Sequence, residues 1–246
     1  MIGIREGASQ QLGWINVAVI GALVVGALLL IHRLWVRRNR RHYHVQEFPD
    51  FLTGAECDHI IERAAPHLKQ SEVLAKSKGS SKSIVRSSES GFIPQRGDSV
   101  LRSIKRKIAV LSERPVDHQE MLQVTHYYPH TFYSPHLDAL PASDPGVAAG
   151  NNRESTVLIY LNDDYTGGAT RFPRIGVSVV PKRGKAVLFT NLKPDGRPNT
   201  IAQHEAKIVL SGEKWVVNQW IRQEVFQKKT TQPIVAGQHL AKKRRR

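Results

Sequence analysis

The chain has 246 residues, of which 40% are hydrophobic, enough to bury one substantial core, so we expect a single folded domain. Its one cysteine, Cys57, excludes a disulfide within the chain. The formal charge of +15 lies mainly outside the expected domain, because residues 32–44 contain five arginines, residues 228–246 contain seven lysines and arginines, and neither segment has an acidic residue.

The first apolar segment predicts a membrane anchor. Residues 14–31 are almost wholly apolar, and a stretch of that length can span a bilayer as a slightly tilted helix. A cleaved signal peptide is the alternative, but no small-residue cleavage pattern follows the stretch. We therefore predict an N-terminal flank at 1–13, an uncleaved transmembrane anchor at 14–31 and a basic stem at 32–44.

Two amphipathic helices are predicted at the start of the domain. Thr53 and Glu56 have the spacing of a capping box, and the apolar residues that follow recur at helical spacing. Asp98 is the expected N-cap of a second helix, whose isoleucines and leucines form the buried face and whose basic residues, Lys105 among them, form the exposed face. Residues 76–97 are rich in serine, glycine and basic residues without periodicity, so we predict a loop there.

From Met121 onward, short β-forming runs alternate with turns that contain glycine. The predicted strands are residues 122–127, 156–161, 177–180, 186–190, 206–210 and 215–221. This pattern indicates a β-sandwich or a barrel and does not distinguish between them. The segment 139–152 contains two prolines and two glycines, and we predict a loop at the mouth of the barrel.

The most informative motif is Tyr133-Ser-Pro-His136-Leu-Asp138. On an extended segment, His136 and Asp138 point to the same side, so both side chains can reach one metal ion. His204 supplies a second imidazole. Two histidines and one carboxylate occupy one face of an octahedral Fe(II) and leave three positions for a chelating cosubstrate and dioxygen. His-x-Asp also occurs by chance, so the set alone is a weak signal.

Lys214 strengthens that signal. It begins the apolar run Lys214-Trp-Val-Val-Asn-Gln-Trp220, ten positions after His204, where a positive charge is costly unless it is paired. An ammonium group is a compact point charge, and in this place it suits the distal carboxylate of 2-oxoglutarate.

Further motifs surround these residues in a fixed order. They are Leu122-Gln-Val-Thr-His-Tyr127, Gly167-Gly168-Ala-Thr170-x-Phe-Pro173, Gly176-Val-Ser-Val-Val-Pro181-Lys-Arg-Gly184 and His204-x9-Lys214-Trp-x4-Trp220-Ile-Arg. Together with the His-x-Asp motif they resemble the prolyl 4-hydroxylase family of Fe(II)/2-oxoglutarate-dependent dioxygenases. The resemblance covers residues 45–227. It implies an α+β fold, with a double-stranded β-helix (jelly roll) core backed by the two helices.

The resemblance also implies roles for individual residues and a set of cofactors. The residues that it places at the iron are His136, Asp138 and His204. Those that it places at the cosubstrate are Tyr127, Thr170 and Lys214. Those that it places beside a peptide are Arg86, Tyr133, Arg153 and Trp220. The implied cofactors are Fe(II), 2-oxoglutarate, O2 and L-ascorbate. For Tyr133 and Trp220 a packing role is the alternative, for Arg153 a place in a solvated loop, and for Arg86 an exposed connection.

The expected activity is hydroxylation of peptidyl proline to 4-hydroxyproline, as in a procollagen-proline 4-dioxygenase, on proline-rich or collagen-like chains. One alternative is the same chemistry on a proline or another residue of a globular or signalling protein. Another is a non-catalytic module that tethers to a membrane, although an intact ligand set and Lys214 argue against it.

The charged segments suggest partners for the chain and a side of the membrane for the domain. The basic stem and the basic tail at 228–246 are predicted either to meet anionic lipids or to be solvated, and we expect no nucleic acid partner. The family resemblance implies a single-pass protein of the endoplasmic reticulum membrane with a lumenal catalytic domain, which we expect here. The five arginines after the span favour the cytosolic side instead, by the positive-inside rule.

Overall fold

The computed structural model of the protein describes residues 45–71, 73–75 and 83–226, together with Gly26. The predicted anchor, basic stem and basic tail therefore lie outside the described residues, apart from Gly26. In the part of the chain that is described, no helix is long and apolar enough to cross a membrane. The membrane anchor stays a prediction.

The two long helices, α1 (Gly54–Ala64) and α2 (Ser99–Ser112), begin at the predicted caps. A single helical turn, α3 (Pro145–Ala148), lies within the segment predicted as a loop. The Glu56 amide donates to Thr53 Oγ1 while the Thr53 amide donates to the Glu56 carboxylate, which completes the capping box. Asp98 accepts a hydrogen bond from the Leu101 amide. These contacts satisfy amide groups that have no partner within the helices, and so they fix where α1 and α2 start.

The strands of the described residues are β1 (Val45–Phe48), β2 (Lys69–Gln70), β3 (Val73–Ala75), β4 (Ser83–Arg86), β5 (Glu89–Phe92), β6 (Gln123–Tyr127), β7 (Tyr133–His136), β8 (Arg153–Tyr160), β9 (Thr166–Gly167), β10 (Thr170–Phe172), β11 (Val177–Val179), β12 (Ala186–Thr190), β13 (His204–Ala206), β14 (Val209–Ser211) and β15 (Lys214–Arg222). They form a seven-stranded sheet in the order β1-β12-β8-β15-β6-β5-β2 and a six-stranded sheet in the order β11-β10-β13-β7-β4-β3, while β9 pairs with β14. The antiparallel, sheet-rich core agrees with the expected double-stranded β-helix.

The seven-stranded sheet is covered on both faces. On one face, Val217 and Ile159 pack in a buried cluster with Ile60 of α1 and other apolar residues of the two long helices. On the other face, Val216 and Tyr160 pack in a second cluster, with apolar residues of the six-stranded sheet. Neighbouring residues of a strand point to opposite faces, so a strand buried on both sides is apolar nearly throughout.

Two predictions about strands were wrong. The predicted strand 206–210 is divided between β13, which pairs with β7 and β10, and β14, which pairs with β9. The predicted loop at 76–97 contains β4 and β5, because β7 and β6 offer them hydrogen-bonding edges. A Cβ on Gly91 of β5 would lie 2.4 Å from the His67 carbonyl oxygen, so close packing of the backbone requires glycine and interrupts the apolar alternation.

The prediction that Lys105 faces solvent was also wrong. Its side chain is buried and its Nζ donates to Gln95 Oε1 at 3.2 Å and to the Glu120 carbonyl oxygen at 3.1 Å. These acceptors are neutral, and burial lowers the pKa of Lys105 to about 8. Helical periodicity could not identify this position, because the two acceptors lie in other segments of the chain.

We expect Lys105 to make folding stability depend on alkaline pH. Its folded pKa of about 8 lies below the value of about 10.4 in an unfolded chain, so the unfolded state binds more protons between these pH values and the free energy of unfolding rises with pH. Lys105→Met removes this titration. Over the interval the free energy of unfolding should therefore rise by up to about 3 kcal/mol more in the wild type than in the variant.

Urea denaturation at pH 7.5 and pH 10 measures this difference. Arg106→Met is the matched control, because Arg106 is an exposed basic residue of the same helix. An equal pH dependence in the wild type and in Lys105→Met would contradict the assignment of a buried, perturbed lysine.

Candidate active site

The three predicted metal ligands meet between the two large sheets. His136 ends β7 and His204 begins β13, and the two are register partners. Asp138 follows two residues after His136. Its Oδ1 lies 3.7 Å from His136 Nε2, and its Oδ2 lies 3.8 Å from His204 Nε2. The potential ligand atoms of all three residues lie within 4.8 Å of one another, close enough for one metal ion.

The hydrogen bonds of the imidazoles suit metal binding. Nδ1 of His136 lies 2.9 Å from the Ser134 carbonyl oxygen, and Nδ1 of His204 lies 3.1 Å from the Ala202 carbonyl oxygen. A carbonyl oxygen only accepts, so each Nδ1 carries the hydrogen and each Nε2 keeps its lone pair for a metal. Two neutral imidazoles and one carboxylate fit Fe(II) and leave coordination positions for other ligands.

Asp138 is held from the opposite sheet. The Thr156 hydroxyl of β8 donates to Asp138 Oδ2 at 2.8 Å, and Asn191 Nδ2 donates to Thr156 Oγ1, also at 2.8 Å. Burial alone would raise the pKa of Asp138, but the positive charges of His204 and His136 in their protonated forms and the Thr156 hydrogen bond outweigh it and lower that pKa. Thr156 and Asn191 were not predicted as site residues, because a contact between sheets leaves no local pattern in the sequence.

Thr156→Val should weaken metal binding by about 10- to 100-fold, since the variant keeps the shape of the side chain but leaves Asp138 without the hydrogen bond that orients it. Titration of the protein with Mn(II), followed by electron paramagnetic resonance, measures this affinity. Thr166→Val makes the same change at an exposed hydroxyl that contacts Ser211. If Thr156→Val bound Mn(II) as tightly as this control, the proposed support of Asp138 would be wrong.

Lys214 forms the other end of the site. It begins β15 and is 1% exposed, and its Nζ donates to the Gly168 carbonyl oxygen at 2.6 Å. Within the described residues no carboxylate pairs with it. Burial lowers the pKa of Lys214 to about 7. A buried ammonium without a countercharge favours the entry of an anionic ligand.

Gly168 and Thr170 shape the surroundings of the ammonium. A Cβ on Gly168 would lie 2.8 Å from the Tyr165 ring and 3.1 Å from Lys214 Cδ, and its φ is +63°, so this position requires glycine. The Tyr160 hydroxyl donates to Thr170 Oγ1 at 2.7 Å, so the Thr170 hydroxyl hydrogen can donate to a ligand. The Tyr127 ring centroid lies 5.1 Å from Lys214 Nζ. The three predicted cosubstrate residues therefore surround one point.

A cavity of about 220 Å³ joins the metal cluster to Lys214. The predicted site residues that line it are Tyr127, Tyr133, His136, Asp138, Arg153, Thr170, His204, Lys214 and Trp220. Other residues that line it and were not predicted include Gln123, Leu158, Val216 and Asn218. The backbone of Arg86 pairs with Tyr133 between β4 and β7, while the Arg86 side chain lies outside the described part of the structure.

The mouth of the cavity is aromatic and cationic. The Tyr133 ring stacks on His136 with 3.6 Å between centroids. The Arg153 guanidinium lies 3.5 Å from the centroid of the Trp220 ring and its Nε donates to Glu120 at 2.8 Å. The alternative that Arg153 occupies a solvated loop was wrong, because it begins β8 and is held on both sides. Glu120, which is buried, was not predicted as a site residue.

Comparison with known proteins agrees with this geometry. Residues 122–222 match the family described as the 2OG-Fe(II) oxygenase superfamily. Prolyl 4-hydroxylase 1 of Arabidopsis thaliana is 37% identical over 191 residues, a match that covers 71% of this chain and 67% of that protein. Prolyl 4-hydroxylase 2 of the same plant is 33% identical over 203 residues and the match covers 74% of this chain and 68% of that protein.

A solved structure extends the comparison to the fold. The viral collagen prolyl hydroxylase of Paramecium Bursaria Chlorella virus-1, in complex with 2-oxoglutarate, matches with a TM-score of 0.58 and 25% identity over 73% of this chain and 96% of that one. The fold, the ligand set and these matches define a 2-oxoglutarate-dependent dioxygenase with Fe(II), 2-oxoglutarate and O2 as its cofactors; ascorbate is typical of such enzymes. Within this class, the chain belongs to the prolyl 4-hydroxylase family.

The pKa of Lys214 predicts that 2-oxoglutarate binds less tightly as pH rises. The distal carboxylate needs the ammonium form, and above pH 7 a growing share of unliganded Lys214 is neutral and must take up a proton on binding. The apparent Kd should rise by about tenfold per pH unit between about pH 7.5 and 8.5. Lys214→Ala should weaken binding by roughly 2 to 5 kcal/mol and remove this pH dependence.

Calorimetric titration of the Mn(II)-loaded protein with 2-oxoglutarate at several pH values measures both effects. Lys193→Ala, at an exposed lysine outside the cavity, is the control. A wild-type Kd that stays constant from pH 6.5 to 8.5 would show that Lys214 is not the titrating anchor.

Proposed function

We propose that the protein hydroxylates peptidyl proline to 4-hydroxyproline in proline-rich or collagen-like chains. The observation that carries this proposal is the aromatic mouth beside the metal cluster, where Tyr133 stacks on His136 and Trp220 lies under Arg153. Flat aromatic surfaces are the usual partners of extended polyproline II chains, whose rings project at regular intervals. The plant relatives are prolyl 4-hydroxylases and the viral one is a collagen prolyl hydroxylase, which supports proline as the target and collagen-like chains as one substrate class.

The net reaction is conversion of 2-oxoglutarate, dioxygen and peptidyl proline to succinate, carbon dioxide and peptidyl 4-hydroxyproline. When bound, Fe(II) with 2-oxoglutarate and dioxygen supplies the oxidising chemistry. His136, Asp138 and His204 would hold the metal. Lys214 and Thr170 would hold the distal carboxylate of the cosubstrate at the closed end of the cavity. This division leaves the open end, beside the metal cluster, for the prolyl ring.

The mouth is preorganised for an extended chain. Glu120 accepts hydrogen bonds from Arg153 at 2.8 Å and from Arg222 at 2.6 Å, so the Arg153 guanidinium keeps its place over Trp220. A guanidinium and an indole that are fixed before binding lose little conformational freedom when a peptide docks. Arg153 retains further N–H groups that can donate to a peptide carbonyl oxygen.

We also propose that residues 14–31 anchor the enzyme in the endoplasmic reticulum membrane, with the catalytic domain in the lumen. The apolar length of the segment and the family resemblance support this proposal, whereas the arginines of the basic stem favour the cytosolic side. Protease protection of a C-terminal epitope in sealed microsomes tests the orientation, and digestion without detergent would contradict it.

The substrate class is tested by succinate formation with the full-length protein and three kinds of substrate: proline-rich peptides, collagen-like peptides and folded globular proteins. We expect succinate to form together with 4-hydroxyproline on the first two. Trp220→Ala should raise the KM for peptide by tenfold or more while the Kd for 2-oxoglutarate stays nearly constant. Turnover on globular proteins alone would contradict the proposed substrate class without contradicting the dioxygenase activity.

A further inference from the structure

The Gln123 side chain is an unpartnered polar group of the cavity within the described residues, as is Trp220 Nε1. Gln123 is 8% exposed and lines the cavity, and no hydrogen bond joins its side-chain amide to another residue that the structure describes. An amide in such a position, nine-tenths buried without a protein partner, loses free energy unless a ligand satisfies it. Its register partner Asn218 also lines the cavity, but it has a partner, since Asn218 Nδ2 donates one of its two hydrogens to Thr125 Oγ1 at 3.2 Å.

The strand register places Gln123 between the two ends of the site. Across β6, β15 and β8 it shares a row with Asn218 and Leu158. The next row along β8 contains Thr156, which donates to Asp138. Lys214 lies four residues from Asn218 in the other direction. Two residues of a strand span roughly 6.7 Å, so Gln123 is one row from the support of the metal cluster and two rows from Lys214.

A ligand that extends from Lys214 to the metal cluster therefore has its reacting end beside Gln123. In 2-oxoglutarate this end carries the 1-carboxylate, which would need a hydrogen-bond donor from the protein. The two cationic side chains that line the cavity do not serve this end, since Lys214 occupies the closed end and Arg153 is bound to Glu120. Of the neutral donors without a partner, Trp220 Nε1 belongs to the ring that Arg153 covers, so we assign the reacting end to the side-chain amide of Gln123.

We propose that Gln123 Nε2 donates a hydrogen bond to the 1-carboxylate of 2-oxoglutarate and so positions the reacting end of the cosubstrate. This role requires the 2-oxoglutarate-dependent activity and does not depend on which peptide is the substrate. Gln123 would bind the reacting end, while Lys214 binds the distal end.

Binding of two ligands, oxalate and 2-oxoglutarate, distinguishes contacts to the reacting end of the cosubstrate from contacts to its distal end. Oxalate reproduces the reacting end and has no distal carboxylate, whereas 2-oxoglutarate has both. Calorimetry on the full-length, Mn(II)-loaded protein should show that Gln123→Met weakens both ligands by about tenfold. Lys214→Ala should weaken 2-oxoglutarate and leave oxalate unchanged. Gln123→Glu should weaken both ligands more than Gln123→Met does, because two carboxylates then face each other.

Gln70→Met is the matched control, since it makes the same change at an exposed residue of β2, and it should bind both ligands as the wild type does. Mn(II) affinity should stay the same in Gln123→Met, which separates this contact from support of the metal. Unchanged oxalate binding in Gln123→Met would overturn the proposal, and a loss of peptide affinity alone would assign the amide to the peptide instead. Failure of the wild type to bind 2-oxoglutarate would contradict the dioxygenase activity itself.

Discussion

The contact between Asp138 and Thr156 is the constraint on which the site depends. Asp138 is a buried carboxylate that follows a strand of the six-stranded sheet, and Thr156 belongs to the seven-stranded sheet. A buried carboxylate is stable only when hydrogen bonds and positive or polar groups surround it. His136, His204 and Thr156 meet that need from both sheets, so the metal cluster also fixes how the two sheets face each other at this point.

The two ends of the cavity carry opposite charges. Asp138 and the two imidazoles present one negative charge and two lone pairs to a cation, while Lys214 presents an ammonium whose pKa burial lowers to about 7. A dicarboxylate that chelates a metal at one end satisfies both needs at once. Such a cavity would select its cosubstrate by charge at two points.

The features that local spacing predicts correctly each lie within one stretch of chain. The capping residues of α1 and α2 and the ligand pair His136 and Asp138 follow from local spacing, since their geometry is set by helix or strand periodicity. Thr156, Glu120 and Lys105 were missed or misplaced because each acts through a partner in another element. The division of the predicted strand 206–210 between two sheets likewise depends on which edges are nearby, and propensity does not contain that information.

We infer that one cavity holds Fe(II) and 2-oxoglutarate together through Asp138. The most direct measurement is the visible charge-transfer absorption that arises when 2-oxoglutarate chelates Fe(II), recorded without oxygen on the full-length protein. The wild type should develop this band with one equivalent of each, and Asp138→Ala should not, whereas Asp195→Ala at an exposed carboxylate should behave as the wild type does. A full band in Asp138→Ala, or none in the wild type, would contradict the account.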